Sequence, residues 1–166
     1  MNAHVTQCRF LLTVAERALA GLGDEHRALE PQPGAKTAGW LIGHLSVTAD
    51  FGRRLCGRKP ICPKEWRAAY NPGTTPSTRS ADYPPMATLV AMMRSVYEDL
   101  CEAALAADAQ TLAGPNTFEP ARAAYPTARD FVQYMITGHL AYHLGQLVAW
   151  RAAAGLGRTT PDGIAA

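Results

Sequence analysis

Two histidines four residues apart are the clearest chemical feature of the sequence. His139 and His143 lie in a stretch from Phe131 to Trp150 that contains no charged residue. If this stretch is a helix, side chains four apart project from the same side, with Cβ atoms about 6 Å apart. Two imidazoles at that spacing can bind one metal ion through nitrogens at about 2.0–2.1 Å. The spacing is therefore adequate for a metal site.

A third histidine, His44, takes the same kind of position on a second predicted helix. At about 100° per residue, each histidine shares an arc with apolar side chains. The companions of His44 are Trp40, Leu41, Val47, Thr48, Phe51 and Leu55, and those of the pair are Val132, Met135, Ile136, Tyr142, Gln146, Leu147 and Trp150. A single inward histidine is more often a hydrogen-bonded core residue than a ligand. Three on apolar faces need a common partner for their nitrogens, so we expect His44, His139 and His143 to bind one divalent metal.

Three histidine ligands leave at least one coordination position for water or substrate. An ion in such an open site can polarise a carbonyl or lower the pKa of a bound water or thiol. Leu140 stands where the zinc proteases of the HExxH type have their glutamate, so a protease mechanism is not supported. The sequence therefore favours metal-dependent chemistry of another kind.

Four helices are predicted to carry these histidines. Apolar spacing, caps and glycine or proline breaks give their bounds as Val5 to Leu22, Thr37 to Cys56, Pro84 or Pro85 to beyond Leu100, and Thr127 to Ala154. No run of alternating β-branched residues occurs, so the fold class is all-α, with the architecture of a four-helix bundle. The connection of about 25 residues between the second and third helices permits a parallel pair, and hence an up-down-down-up order.

The two long connections are predicted to be irregular. Residues 58–82 are rich in proline and are expected to form an excursion that covers the metal pocket around Trp66 and carries Tyr70. The segment from Asp108 to Pro126 also lacks a helical pattern.

The composition predicts one domain over residues 1–166 and limits the partners. Charged residues make up 18% of the chain, the net charge is +2, and the charges are scattered, so we expect neither nucleic acid nor a membrane as a partner. The four cysteines, Cys8, Cys56, Cys62 and Cys101, form no CxxC pair, and the first residues show no basic segment followed by a long apolar run. A cytoplasmic protein with free thiols is the expectation. His4 and His26, at a terminus and in a loop, are expected to be exposed.

The back of the fourth helix carries a second uncharged stripe. It consists of Tyr134, Thr137, Ala141, Leu144, Val148 and Ala152. A helix that is apolar all round requires burial on both sides, so we expect a homodimer with this helix near its interface.

Trp40, Tyr142 and Gln146 are the candidate pocket residues. Trp40 lies one turn before His44, where core packing is the alternative. Gln146 follows His143 by three residues and is expected to bind a ligand through its amide. Tyr142 is suited either to orient a substrate or to be buried with its hydroxyl at a rim.

No catalytic residue is assigned. Asp50 is on the second helix but roughly opposite the arc of His44, so it is not nominated as a general base.

Two blocks of the sequence resemble the DinB-like family. The first is Gly39-Trp40-Leu41-Ile42-Gly43-His44-Leu45, preceded by Gly34, and the second is Gly138-His139-Leu140-Ala141-Tyr142-His143-Leu144-Gly145-Gln146-Leu147, followed by Arg151 and Gly155. In length and helix layout the resemblance covers essentially the whole chain. It implies an up-down-down-up four-helix bundle, usually dimeric, whose metal ligands are His44, His139 and His143.

The resemblance also narrows the expected function. DinB-like proteins include S-transferases and isomerases that use low-molecular-weight thiols, metal-dependent hydrolases, and members without a known reaction. We therefore expect a divalent-metal-dependent hydrolase or thiol S-transferase acting on a small molecule, such as a low-molecular-weight thiol. Zinc or nickel is the expected ion, with iron, manganese and copper as alternatives. The alternative function is a non-catalytic metal- or ligand-binding dimeric helical bundle.

Overall fold

Four long helices form a bundle in the computed structural model, which describes residues 1–157. They are α1 (Asn2–Leu19), α2 (Ala38–Leu55), α4 (Met86–Ala106) and a last helix in three parts. The last helix consists of α6 (Ala128–Tyr134), a π-helical segment (Met135–His139) and α7 (Leu140–Ala153). Two short helices, α3 (Lys64–Tyr70) and α5 (Ala109–Ala113), lie in the connections. Residues 1–157 contain no β-strand, and the predicted all-α four-helix bundle is confirmed.

Caps and glycines set the ends of α2 and of the last helix as predicted. The side chain of Thr37 accepts a hydrogen bond from the Trp40 amide at 3.2 Å, which satisfies a free N–H at the start of α2. Thr127 and Asp130 form a reciprocal capping box at the start of α6. Gly155 follows α7 with a φ of +76°, a conformation in which glycine is not strained.

The first helix and the connections differ from the prediction. α1 begins at Asn2 and ends at Leu19 rather than running from Val5 to Leu22, because Gly21 turns the chain with a φ of +74°. The excursion is not irregular throughout, since the buried side chains of Trp66 and Tyr70 anchor α3. α5 likewise interrupts the segment predicted to be irregular from Asp108 onward.

Contacts near both ends show that α2 and α4 run parallel. The Thr37 hydroxyl, before α2, lies 2.8 Å from the hydroxyl of Tyr83, which precedes α4. Near the far end of both helices, Arg53 donates a hydrogen bond to Asp99. The long connection therefore returns the chain to the same end of the bundle.

The other two long helices run in the opposite direction. In α1, Glu16 pairs with Arg94 of α4 while the earlier Arg9 pairs with Glu102, an antiparallel arrangement. The last helix is antiparallel to α2, because Phe131 packs on Phe51 whereas the later His139 packs on the earlier His44. Together these contacts give the predicted up-down-down-up order.

The π-helical segment changes which face of the last helix is buried. Each turn closed by an i to i+5 hydrogen bond holds one more residue than an α-helical turn, so later side chains are rotated by about 100° from the uninterrupted pattern. Beyond this point the buried face is shifted relative to the arc predicted at 100° per residue. His143, Leu147 and Trp150 of that arc stay buried, but Tyr142 is 63% exposed, and Leu140 and Leu144, which lie outside the arc, are at most 3% exposed.

The predicted outer stripe of the last helix is therefore partly internal. Leu144 belongs to the core of the single chain, so the expectation that it would be exposed on a monomer is wrong. α1 packs on this part of the last helix, and the Arg151 guanidinium donates to the carbonyl oxygens of Ala18 and Ala20. Val148 remains half-buried. The homodimer stays a prediction, but Leu144 no longer supports it.

Several predictions about the whole chain have mixed outcomes. All four cysteines are free and buried. No helix within residues 1–157 is both long and apolar enough to cross a membrane. His4 and His26 are half-buried rather than exposed, and the His26 ring packs edge-on against Trp150. The predicted domain of residues 1–166 includes residues 158–166, which lie outside the described part.

We predict that Gly43→Ala destabilises the protein, because a Cβ at this position would lie 2.6 Å from the ring of the buried Tyr70. Overpacking of this kind lowers the free energy of unfolding by about 1–3 kcal/mol. Gly145→Ala is the matched control, since no atom lies within 4 Å of its added Cβ. That change should raise the free energy of unfolding by about 0.5–1 kcal/mol through the better helix propensity of alanine. Urea denaturation measures the free energy of unfolding of both variants. Equal changes in Gly43→Ala and Gly145→Ala would contradict the tight packing of Gly43 against Tyr70.

Candidate metal centre

The structure brings the three predicted histidines together in the bundle interior. His44 of α2, His139 of the π-helical segment and His143 of α7 are each buried, and one ring nitrogen of each lies within 4.8 Å of those of the other two. Ring centroids are 5.3 Å apart for His44 and His139, 4.7 Å for His44 and His143, and 4.5 Å for His139 and His143. The side chains therefore form one compact cluster.

Two of the rings are held through Nδ1 by neutral acceptors. The Nδ1–H of His44 donates to the carbonyl oxygen of Tyr70 at 2.8 Å, and that of His143 donates to Oε1 of Gln146 at 2.8 Å. A carbonyl or amide oxygen can only accept, so the proton of each neutral ring is on Nδ1. The lone pair of each ring is then on Nε2, which is free to bind a metal.

His139 is the ring whose hydrogen bonding is incomplete within the protein. Its Nδ1 is buried without a partner, and its Nε2 lies 3.3 Å from Nε2 of His44. Because the His44 nitrogen already carries a lone pair, the two Nε2 atoms approach each other at the point where a shared cation would satisfy both. The donor set of three imidazoles thus fits a divalent metal.

Burial keeps these rings in the form that binds metal. Loss of hydration lowers the pKa of His44 to about 4 and that of His139 to about 3, because a charged imidazole is poorly solvated inside the bundle. Burial also lowers the pKa of His143. All three are neutral near pH 7, so protons compete little with a metal ion.

Trp40 supports His44 from the side. The two rings are stacked at 4.7 Å with an interplanar angle of 7°, and Trp40 is 5% exposed. The indole N–H donates to the hydroxyl of Thr74 at 2.9 Å, which ties the connection after α3 to α2. Trp40 therefore packs beside the cluster, as the core-packing alternative proposed.

A cavity of about 850 Å³ adjoins the cluster, with His44 and His139 among its lining residues. Exposed residues such as Arg54, Asn71 and Pro120 also line it, so the cavity reaches the protein surface. Its volume lies in the range of small-molecule sites. The histidine cluster is therefore accessible to a small ligand.

Three expectations for the pocket need correction. Tyr142 is 63% exposed rather than buried at a rim, and its ring lies edge-on to His143 on the solvent side, with centroids 5.0 Å apart. Gln146 holds His143 instead of facing a ligand. Trp66 is buried and does not line the cavity, which is covered instead by Arg67 and the segment from Asn71 to Gly73.

Asp50 is also placed differently from the prediction. It lines the cavity but is 2% exposed, and its Oδ1 accepts hydrogen bonds from Arg53 at 2.7 Å and from the Ile61 amide at 3.0 Å. These bonds commit the carboxylate to an ion pair and to anchoring the chain after α2. Asp50 is therefore not available as a general base.

Sequence reasoning missed the groups that complete the site. The acceptor for His44 is a backbone carbonyl, and no side-chain pattern identifies one. The aromatic residues Phe118 and Tyr125 come from a connection that shows no periodicity. The presence of Phe118 and Tyr125 in one connection was the only feature of the sequence that could have indicated an aromatic lining.

The sequence profile of the DinB superfamily matches residues 9–147. The chain belongs to the DinB superfamily. No curated protein and no solved structure matches it. Both blocks that carry the resemblance lie within the matched residues, and the three-histidine cluster fits a metal-binding protein of the DinB superfamily.

We predict that Gln146→Leu weakens metal binding by about 10- to 100-fold, because His143 loses the acceptor that fixes its tautomer and orientation. Gln146→Glu keeps an acceptor at the same position and should retain affinity close to that of the unmodified protein. Gln133→Leu, in α6 of the same long helix, is the matched control. Competition titration with a chromogenic chelator measures the affinities. Equal affinities for Gln146→Leu and Gln133→Leu would show that Gln146 has no role in positioning His143.

Proposed function

We propose that this DinB protein is a divalent-metal-dependent enzyme that acts on a small molecule, with His44, His139 and His143 as the metal ligands. The reaction is either hydrolysis or the transfer of a low-molecular-weight thiol to an electrophile. The observation that carries this proposal is the convergence of three buried neutral imidazoles beside a cavity that reaches the surface.

The donor set favours a catalytic over a structural metal. Structural zinc sites are closed by four protein ligands, whereas catalytic sites use three and leave a position for water or substrate. Among residues 1–157, no fourth histidine, cysteine, aspartate or glutamate joins the cluster. The chemistry that an ion supplies at such a site is Lewis-acid activation of a water or thiol nucleophile.

The residues of this chain have supporting roles in that chemistry. The Tyr70 carbonyl and Gln146 fix the orientation of two ligand rings, and Trp40 limits the movement of His44. The apolar surroundings keep water from the rings on the core side, which holds them neutral. We infer zinc or nickel as the ion, with iron, manganese and copper as alternatives. Imidazole nitrogen suits zinc, nickel, iron and copper, whereas calcium and magnesium prefer oxygen ligands.

The protein thiols are poor nucleophile candidates. Burial raises the pKa of Cys56 to about 11 and that of Cys62 to about 12, so both are protonated near pH 7. Cys8 and Cys101 are buried in the core with at most 1% exposure. A nucleophile bound to the metal therefore agrees better with the site than covalent catalysis by a cysteine.

A non-catalytic binding protein is the second candidate. The observation that favours it is the state of Asp50, the only carboxylate that lines the cavity within residues 1–157, which is committed to Arg53. Without a free carboxylate, proton transfer must be carried by the nucleophile itself or by a substrate group. A site that only holds a metal or a ligand does not need that transfer.

An activity screen distinguishes the two candidates. Purified protein loaded with zinc or with nickel is assayed on esters, on amides, and on thiols paired with electrophiles. We expect activity that is lost on chelation and in His44→Ala, and that survives Cys8→Ser, Cys56→Ser, Cys62→Ser and Cys101→Ser made one at a time. Full activity after metal removal, or abolition by one correctly folded cysteine variant, would reject the metal mechanism.

We also propose that the protein is a cytoplasmic homodimer, as expected from its sequence. The half-buried Val148 is the remaining candidate for a contact on the last helix, since Leu144 is used inside the single chain. Light scattering at micromolar concentration should give twice the chain mass. Val148→Glu should lower that mass to one chain without unfolding the protein. A monomeric unmodified protein would contradict the proposal.

A further inference from the structure

The cavity beside the histidines carries two arginines without acidic partners. Arg54 of α2 and Arg67 of α3 both line it, and neither guanidinium forms an ion pair within residues 1–157. Arg53, the neighbour of Arg54 in sequence, is bound by both Asp50 and Asp99. The nearby carboxylates are thus committed to Arg53, which leaves two positive charges on the cavity wall.

The charge of the cavity is not balanced by other lining residues. Asp50 is the only acidic residue that lines it in the described part of the chain, and its charge is compensated by Arg53 at 2.7 Å. Charges of one sign in a cleft with apolar walls produce a focused field. The cavity is therefore suited to a ligand with negative charge.

An aromatic surface connects the arginines to the histidines. We call Phe51, Phe118, Tyr125, Phe131 and Tyr134 the aromatic wall, because all five line the cavity and their rings contact one another. At one end, the Arg54 guanidinium lies 5.7 Å from the centre of the Phe51 ring. At the other end, the Tyr134 ring lies edge-on to His139, with centroids 5.7 Å apart.

The spacing along α2 gives the approximate length of a ligand that contacts both ends. His44 and Arg54 are ten residues apart on one helix, which corresponds to about 15 Å along its axis. The arginine side chain covers part of this distance. A ligand of one ring and a short chain can therefore reach from the arginines toward the histidines.

We propose that this cavity selects small molecules with a flat apolar body and one anionic group, and that Arg54 and Arg67 bind the anion. The aromatic wall packs against the apolar body, and the two guanidinium groups donate hydrogen bonds from their planar forks to the oxygens of a carboxylate, sulfonate or phosphate. This inference names the substrate class of the proposed enzyme and rests on the proposed function only for the reaction at the histidines. The preference for an anionic ligand does not require that the protein catalyse a reaction.

Three matched probes test the preference on the metal-loaded protein by calorimetric titration. They are 3-phenylpropanoate, 2-phenylethanesulfonate, and the neutral 3-phenylpropanamide. Both anions should bind about five- to tenfold more tightly than the amide at low salt, because charge-assisted hydrogen bonds to arginine are stronger than neutral ones. The difference should shrink as salt is raised.

The variant Arg54→Gln/Arg67→Gln should remove the difference by weakening the anions and leaving the amide unchanged. Arg58→Gln is the matched control, because Arg58 is exposed and does not line the cavity. Equal binding of anions and amide by the unmodified protein would overturn the proposal. So would an undiminished preference in the double variant, or an equal loss in Arg58→Gln.

His44→Ala separates this inference from the proposed function. No hydrogen bond or ring contact joins the His44 ring to Arg54, to Arg67 or to the aromatic wall, so both anions should keep their preference in this variant. If no metal-dependent activity is found but the anions still bind more tightly than the amide, the proposed function is wrong, and the inferred class of small-molecule ligand remains valid. A preference shown by the carboxylate alone, and lost in His44→Ala, would mean that the metal binds the anion and would overturn the role of the arginines.

Discussion

Three imidazoles inside one bundle are the constraint on which the rest of the structure depends. Each ring presents two nitrogens that must be satisfied away from water, and burial keeps all three rings uncharged. The chain supplies an acceptor for one nitrogen of His44 and of His143. One nitrogen of each ring lies within 4.8 Å of those of the other two, and a shared metal ion would satisfy these three together, whereas Nδ1 of His139 has no partner among residues 1–157.

The features around the cluster follow from holding those rings in place. The parallel course of α2 and α4 requires a long connection, and α3 in that connection brings the Tyr70 carbonyl to His44. The absence of a side chain at Gly43 lets the Tyr70 ring lie against α2. Asp50 and Arg53 fix the start of the same connection. A single long excursion thus closes one side of the bundle and orients the His44 ring.

The sequence predicted those parts of the site that depend on local periodicity. His44 and the start of α2 at Thr37 follow from spacing and capping, which act within one helix. The π-helical segment could not be foreseen, because its extra residue per turn leaves no mark in residue types, and it explains why Tyr142 was misplaced. The Tyr70 carbonyl was missed and Gln146 was assigned a different role for a related reason, since contacts between a ring nitrogen and its acceptor depend on tertiary packing rather than on sequence distance.

Binding of one metal ion by the nitrogens of His44, His139 and His143 can be measured by X-ray absorption spectroscopy on the protein as purified, with the ion counted by elemental analysis. We expect close to one divalent first-row metal per chain, with three imidazole nitrogens at about 2.0–2.1 Å if the ion is zinc. A protein without a stoichiometric metal, or a spectrum that shows sulfur ligands or only oxygen ligands, would contradict the assignment of the three histidines.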